Sequence, residues 1–409
     1  MKKKNRYYAQ EILTLLQRSI AIAEWAKLRI GEPVSLERAL GAFDLFIPEQ
    51  KQGGLDEVSK KARMVHTLPL MAVQMKMKLD EIASQFIADV PGIGQLTPRE
   101  KALVTASYLR TNDLTGIEPG REYHLLEHNF LGIALNDAGH NSLPLISAAI
   151  YCYIAQRLGL DARPCGFPFH VHVIVMPPLG FDMDGNTLDG TGQGEPMYMD
   201  PFRSQTETHV SNLQNQLALL GASNIEQSNF LGESRTSQIV LRCGKNILTS
   251  IQHMYRLPGT HSATLDSTNA KYAALWSSML LSDPNRQAEI RHYLPWLINL
   301  LATEFPLDVY LVEKYLTPLF NSMPEHGHIL KSLHVMRTVD KIPKQVRRRV
   351  PENKNVKYWV GQVFRHRRYY YRAIITGWDA ECGADEHWMI RMGIDRLQAG
   401  RHQSFYHVL

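Results

Sequence analysis

Cysteine is scarce in this sequence. The 409 residues contain four cysteines, Cys152, Cys165, Cys243 and Cys382, with no C-x-x-C pair. This spacing excludes a disulfide framework and leaves too few neighbouring thiols for an all-cysteine zinc site. The sequence also has no N-x-[ST] glycosylation sequon. We therefore predict reduced thiols in a protein of the cytoplasm, the nucleus or both.

Long apolar runs and a strong charge imbalance are also missing. No stretch approaches the roughly 18 apolar residues of a membrane span, and Lys2–Lys4 precede an amphipathic pattern, not a signal sequence. Lys and Arg number 45 against 40 Asp and Glu, and 44% of the residues are hydrophobic. This composition excludes fibrous and wholly disordered classes and predicts two or three globular domains without membrane contact.

Residues 1–118 have the pattern of a helical scaffold. Gly31 ends a first helix, Ser35 is placed to cap a second, and Thr97-Pro98-Arg99-Glu100 has the pattern of a capping box. The inward stripe of the first helix follows helical spacing. Its apolar members are Tyr8, Ile12, Leu15, Leu16 and Ile20.

Residues 119–204 change to an α+β pattern. A helix over 142–158 precedes an extended segment over 165–176 and a second strand over 197–202. The next section, residues 205–340, returns to helical spacing. Its predicted core aromatics are Trp276, Trp296 and Phe305.

The last two sections differ sharply in composition. Residues 341–357 are basic and without apolar periodicity, which predicts a linker. Residues 358–409 have the strand pattern of a small β-barrel. Its strands are expected over 361–364, 370–378 and 404–409.

Three motifs stand out in the α+β section: Gly139-His140-Asn141-Ser142-Leu143-Pro144, Gly166-Phe167-Pro168-Phe169-His170-Val171-His172 and Tyr198-Met199-Asp200-Pro201-Phe202. They resemble the transglutaminase-like core of the SirB type, a papain-like α+β fold. Active relatives use a thiol at a helix start, a histidine and an aspartate. The helix start lowers the thiol pKa, the imidazole takes its proton and the carboxylate orients the ring.

The resemblance implies a degenerate triad. His170 and Asp200 match the histidine and aspartate, but residues 141–144, which include Ser142 and no cysteine, occupy the helix start where the thiol belongs. Cys152 lies about 15 Å further along the helix at ~1.5 Å per residue, and Cys165 is expected on the opposite strand face from His170. Ser142 is then an N-cap or the nucleophile of a weak hydrolase or acyl transferase, and His170–Asp200 a structural pair or a catalytic one. We assign no catalytic residue.

No metal and no cofactor is predicted. His170 and His172 form an H-x-H pattern on one expected strand face, but the sequence shows no third ligand nearby. The acidic loop that begins at Asp182 resembles a calcium loop in its first positions. It then has Thr187 where glycine belongs and Gln193 where a bidentate glutamate belongs.

The charge of the chain is concentrated near its C-terminal end. Residues 341–372 hold eleven basic side chains against one acid, Glu352, with aromatic residues interleaved. Arginines beside planar rings suit a phosphate backbone, so DNA is a candidate partner; a solvated linker with a charge-protected strand edge explains the same residues equally well. The candidate DNA-binding side chains are Lys357, Arg365, Arg367, Arg368 and Arg372.

The segments Val360–Tyr369, Ala373–Asp379 and Phe405–Leu409 resemble the YccV-like, or hemimethylated-DNA-binding, domain. The resemblance implies an SH3-like barrel. The family pattern normally continues into further strands, so we expect the barrel to be incomplete in this sequence.

The order of the sections resembles a family of eukaryotic F-box proteins, in a form that looks fungal at Gly139–Pro178. Such proteins are substrate receptors of Skp–cullin–F-box ubiquitin ligases. The resemblance implies a non-catalytic protein that binds a client protein. Residues 1–30 show no F-box pattern, so Skp1 and cullin are expected partners only where an F-box lies outside this sequence. The alternatives are a DNA-binding protein without ligase docking and the weak hydrolase.

Overall fold

The computed structural model describes residues 2–48, 70–137, 139–188, 192–256, 265–283, 287–342, 355–367, 370–384 and 386–409. The chain forms two compact units, residues 1–337 and 338–409. Helices dominate the first, and the described residues of each unit include one small antiparallel sheet, which confirms the predicted α+β class. No described helix is both long and apolar enough to cross a bilayer.

The helices that begin in the first unit, in chain order, are α1 (Lys2–Arg29), α2 (Leu36–Asp44), α3 (Leu70–Asp89), α4 (Pro98–Thr111), α5 (Leu131–Asn136), α6 (Pro144–Arg157), α7 (Val210–Leu219), α8 (Asn224–Leu231), α9 (Thr236–Arg256), α10 (Ser267–Leu281), α11 (Gln287–Thr303) and α12 (Glu325–Lys341). Short 3-10, α and π turns follow one another over residues 306–320.

Helix boundaries follow the local start and stop signals. Gly31, at φ 83°, lies just beyond the end of α1, where a left-handed residue without a Cβ is favoured. Thr97 and Glu100 form the predicted capping box of α4. Ser35 precedes α2 in an extended conformation but makes no capping hydrogen bond, because its hydroxyl donates to Glu37 at 2.6 Å.

The predicted inward stripe of α1 was partly wrong. Ile12 is 56% exposed, and the buried face runs instead through Arg18, Ile22 and Trp25 at helical spacing. The Arg18 guanidinium makes two hydrogen bonds, at 2.7 and 2.8 Å, to the buried carboxylate of Asp308. Because the buried face includes the charged residue Arg18, a search for apolar periodicity did not identify it.

The larger of two hydrophobic clusters among the described residues has members from Ala21 to Leu333. Trp25 packs on Phe43 with ring centroids 4.8 Å apart, and Phe305 stacks on Tyr272 at 4.0 Å. Trp276 and Phe305 are buried as predicted. The prediction for Trp296 was wrong: its ring is 40% exposed and lies under the Lys271 ammonium, since an amphipathic ring can remain at the surface.

The sheet of the first unit has the order β1–β2–β3, formed by Asp161–Pro164, Val173–Met176 and Met197–Met199. The single extended segment predicted over 165–176 is a hairpin loop followed by β2. Pro168 lacks an amide donor, and the His170 amide donates back to the Pro168 carbonyl at 2.7 Å. Phe169 has a φ of 63°. This turn ends the strand periodicity before the two histidines.

In the second unit, β4 (Val363–Arg365), β5 (Arg372–Asp379) and β6 (Phe405–Val408) form an antiparallel sheet close to the predicted strands. The segment between β5 and β6, which lies between two of the expected strands, contains α13 (Glu386–Met392). Most of the predicted linker lies outside the described residues.

Candidate functional site

Ser142 belongs to a buried hydroxyl pair. The N-cap of α6 is Leu143, because Pro144 occupies the first helical position and shifts the start by one residue. The predicted N-cap role of Ser142 was therefore wrong. Its Oγ lies 2.7 Å from Ser147 Oγ, and Ser142 is 0% exposed.

His170 and Asp200 meet as the resemblance implied. His170 Nε2 lies 2.9 Å from Asp200 Oδ1, and both residues are buried. The same oxygen accepts backbone hydrogen bonds from Phe202 and Arg203, each at 3.2 Å, in the turn after β3. Burial opposes ionisation of Asp200, but the hydrogen bond and charge of His170, together with His172 and the Arg203 amide, outweigh it and hold the pKa of that carboxyl below its usual value.

His172 lies beside the pair. Its ring centroid is 5.0 Å from that of His170, and its edge contacts the Phe167 ring at 5.1 Å. Burial lowers the pKa of His172 to about 4, so the ring is neutral at physiological pH. Its buried Nδ1 has no hydrogen-bond partner among the described residues.

Asp200 is the third potential metal ligand, which the sequence did not reveal. His170, His172 and Asp200 each offer one ligand atom, and these atoms lie within 4.8 Å of one another. The strand register explains why His172 and Asp200 lie close together. Val173 of β2 pairs with Met199 of β3, so if this antiparallel register is continued by one residue, His172 lies opposite Asp200. The two residues are remote in sequence, so spacing alone could not reveal this contact.

Sequence reasoning also missed two side chains around the pair. The Tyr123 ring meets the Phe202 ring edge-on at 6.0 Å, and Phe202 in turn contacts the His170 ring at 5.7 Å. Arg242 on α9 donates to the Phe167 carbonyl at 2.6 Å. The sequence signal that could have identified Arg242 is its position among apolar residues, since it lies next to Cys243 and near Val240, both of which are buried in the structure.

No thiol serves the pair. Among the described residues, no cysteine sulfur hydrogen-bonds to His170 or His172. Cys165 Sγ donates to the Phe230 carbonyl at 3.2 Å, and burial raises its pKa to about 11. Burial raises the pKa of Cys152 and Cys243 still further. These cysteines are thiols at neutral pH, so the arrangement can orient and bind polar groups but lacks an activated sulfur nucleophile.

The acidic loop at Asp182 stabilises its own turn. The Asp182 carboxylate accepts hydrogen bonds from the backbone amides of Asp184 and Asn186 and from the Asn186 side chain. These bonds hold the pKa of Asp182 below its usual value. Its oxygens therefore already have partners.

A second candidate surface lies on the sheet of the second unit. Lys357, Arg365, Arg367 and Arg372 are all exposed, and Arg368 lies outside the described residues. Arg365 on β4 is the direct cross-strand partner of Arg372 on β5, an arrangement of like charges that is unfavourable without an anion. The Arg365 guanidinium lies over the Tyr370 ring at 5.2 Å.

Two families match this chain. Residues 74–245 match the Transglutaminase-like superfamily, and residues 356–409 match the family described as Hemimethylated DNA-binding protein YccV like. No solved structure matches significantly.

Three curated relatives are each named F-box only protein 21. The mouse protein is 36% identical over 284 residues, and the human and orangutan (Pongo abelii) proteins are each 26% identical. Each alignment covers 65% of this chain. The chain spans about two fifths of the length of these relatives, 40–41%. The predicted fungal character stays a prediction.

Proposed function

Since the chain carries a transglutaminase-like domain and a YccV-like domain and is similar to F-box only protein 21, we propose that it is a non-catalytic recognition protein that binds client proteins in the cytoplasm or nucleus. One observation carries the proposal: among the described residues, the His170–Asp200 pair has no hydrogen-bonded nucleophile. Covalent acyl transfer needs a nucleophile within hydrogen-bond reach of its base.

The hydroxyl alternative is less well supported. Ser142 is fully buried and its Oγ is engaged by Ser147. The Ser147 hydroxyl in turn accepts a hydrogen bond of 3.1 Å from the Gly116 amide, which connects the hydroxyl pair to a neighbouring loop. A hydroxyl held in this way contributes to stability and is shielded from substrate.

Phe169 is the best candidate for a client contact. It precedes His170, has a φ of 63° and is 85% exposed. A left-handed conformation costs a non-glycine residue roughly 1–2 kcal/mol, and strained residues that present apolar rings to water are enriched at binding sites. The turn thus places an apolar ring beside a buried polar pair.

We expect Phe169→Gly to reduce client binding by at least fivefold while changing stability by less than about 1 kcal/mol, because glycine removes both the ring and the backbone strain. Quantitative cross-linking mass spectrometry in cells measures client binding, and urea unfolding measures the stability. Ile30→Ala removes another exposed apolar side chain and is the matched control. Equal cross-linking of the wild type and Phe169→Gly would contradict the client-binding role. Labelling of Ser142 by a fluorophosphonate would instead support the hydrolase hypothesis.

We further propose that client binding serves ubiquitin transfer, as the similarity to F-box proteins suggests. The protein as it occurs in its own cells is the appropriate probe, because this chain spans about two fifths of the length of these relatives. Recovery of Skp1 among its cross-linked partners is the expected result. Absence of Skp1 with clients retained would leave recognition without ligase docking.

DNA binding through the second unit is a second candidate function, favoured by the Arg365–Arg372 cross-strand pair. We expect the affinity for a hemimethylated duplex to fall steeply with salt, and Arg365→Gln/Arg372→Gln to reduce the log–log slope by about 0.9 for each lost phosphate contact. Fluorescence anisotropy across salt concentrations measures the slope. Arg396→Gln, which neutralises another exposed arginine of the unit, should leave it unchanged. A flat salt response of the wild type would exclude this function.

A further inference from the structure

We propose that His170, His172 and Asp200 form a binding site for a first-row divalent transition metal, with Zn²⁺ as the representative ion. Their ligand atoms lie within 4.8 Å of one another. Two imidazoles and one carboxylate form a donor set that suits such ions and leaves coordination positions open.

The separations of the three ligand atoms set how far the side chains must move to hold one ion. Nitrogen and oxygen ligands bind Zn²⁺ at about 2.0–2.2 Å, so two ligand atoms of one tetrahedral ion lie roughly 3.3–3.6 Å apart. All three ligand atoms lie within 4.8 Å of one another, so side-chain rotations must shorten the longest separation by up to about 1.5 Å to close the site around one ion.

The backbone positions the three residues whose side chains offer metal-ligating atoms. The turn at Pro168–His170 ends the strand before the two histidines, and their ring centroids lie 5.0 Å apart. The pairing of β2 with β3 brings Asp200 opposite His172. The site is therefore part of the fold, not a chance meeting of surface side chains.

Donor atoms are available at this position. Asp200 Oδ1 accepts three hydrogen bonds, while its Oδ2 has none among the described residues. His172 is 6% exposed, and its buried Nδ1 has no partner in the described part of the chain. An unpaired buried polar atom is costly, and an ion at this point would be a partner for the cluster.

Two cations oppose a dication here. Arg203 and Arg242 both act on His172 electrostatically, and Asp200 is the acid that favours a bound ion. The net charge of the site therefore predicts weaker binding than in closed structural zinc sites. Nitrogen ligands also predict selectivity for Zn²⁺ and Co²⁺ over Mg²⁺ and Ca²⁺, which prefer oxygen.

Isothermal titration of the untagged chain with ZnCl₂ tests the proposal. We expect one ion per chain, with affinity reduced at least about tenfold in His172→Ala and in Asp200→Asn. The control is His124→Ala, since His124 stacks on His253 at 4.1 Å in a second histidine pair. Undiminished affinity in the two site variants, or an equal loss in His124→Ala, would overturn the proposal.

The wild-type chain provides a measurement that does not depend on variant folding. CoCl₂ should give visible absorption bands of a low-symmetry nitrogen–oxygen site, and ZnCl₂ should raise the unfolding temperature in a concentration-dependent way. His170→Gln, which keeps a polar side chain, should abolish both effects. A spectrum like that of free Co²⁺ together with an unchanged unfolding temperature would refute the site.

Discussion

Arg18→Ala is expected to destabilise the first unit by roughly 3–5 kcal/mol. The substitution leaves the Asp308 carboxylate, which is 0% exposed, without its charged partner. Burial already raises the pKa of Asp308 in spite of Arg18 and Tyr272, so the loss of the guanidinium removes the main opposing influence. The guanidinium also lies 5.0 Å from the centre of the Phe305 ring, and this contact is lost as well.

Urea unfolding followed by circular dichroism measures the effect. The matched control is Arg291→Ala, because the Arg291–Glu325 ion pair has a similar separation, 2.9 Å, but side chains that are 44% and 26% exposed. We expect that control to cost less than about 1 kcal/mol. A double variant, Arg18→Met with Asp308→Leu, should recover most of the loss, since it removes both buried charges. Similar losses in Arg18→Ala and Arg291→Ala would show that burial of the pair contributes little.

Asp44→Asn is expected to make the chain more stable above pH 7 and to leave it nearly unchanged at pH 4. Burial raises the pKa of Asp44 from 3.8 to about 7, although the amides of Gly132 and Ile133 at the start of α5 oppose this. The native state therefore holds a proton that the unfolded chain releases at lower pH. Stability falls as pH rises from about 4 to about 7, by up to ~4 kcal/mol, and then levels off.

The difference in unfolding free energy between Asp44→Asn and wild type at pH 4.5, 6 and 8 isolates this group from others that titrate. Asp137→Asn, at an exposed carboxylate, is the control and should show a flat difference. The packing around Asp44 is tight, since a Cβ on Gly132 would lie 2.7 Å from its Oδ1, so the nearly isosteric amide is the appropriate change. A pH-independent difference for Asp44→Asn would show that the buried carboxyl keeps an ordinary pKa.

Local signals predicted much of the fold. The capping box at Thr97 and the stop at Gly31 depend on residues adjacent in sequence, and the structure confirms both. Predictions failed where a distant contact or a single residue overrode the pattern. Arg18 is buried because it pairs with Asp308, a residue 290 positions away in the sequence. Pro144 moves the start of α6 beyond Ser142.

The candidate site was predictable in part. The resemblance identified His170 and Asp200, and the structure brings them into hydrogen-bond contact. His172 was recognised as a neighbour but not as part of a three-ligand cluster. Its proximity to Asp200 arises from the pairing of β2 with β3, and strand register depends on the whole sheet.

The contact between α1 and residue 308 also affects synthesis of the chain. At 5–20 residues per second, about 15–60 s pass between translation of Arg18 and of its partner. During this interval the Ile22 and Trp25 face of α1 lacks part of its final packing, because α10, which begins at Ser267, is also made late. We therefore expect nascent chains to expose an apolar surface suited to chaperone binding until most of the first unit has left the ribosome.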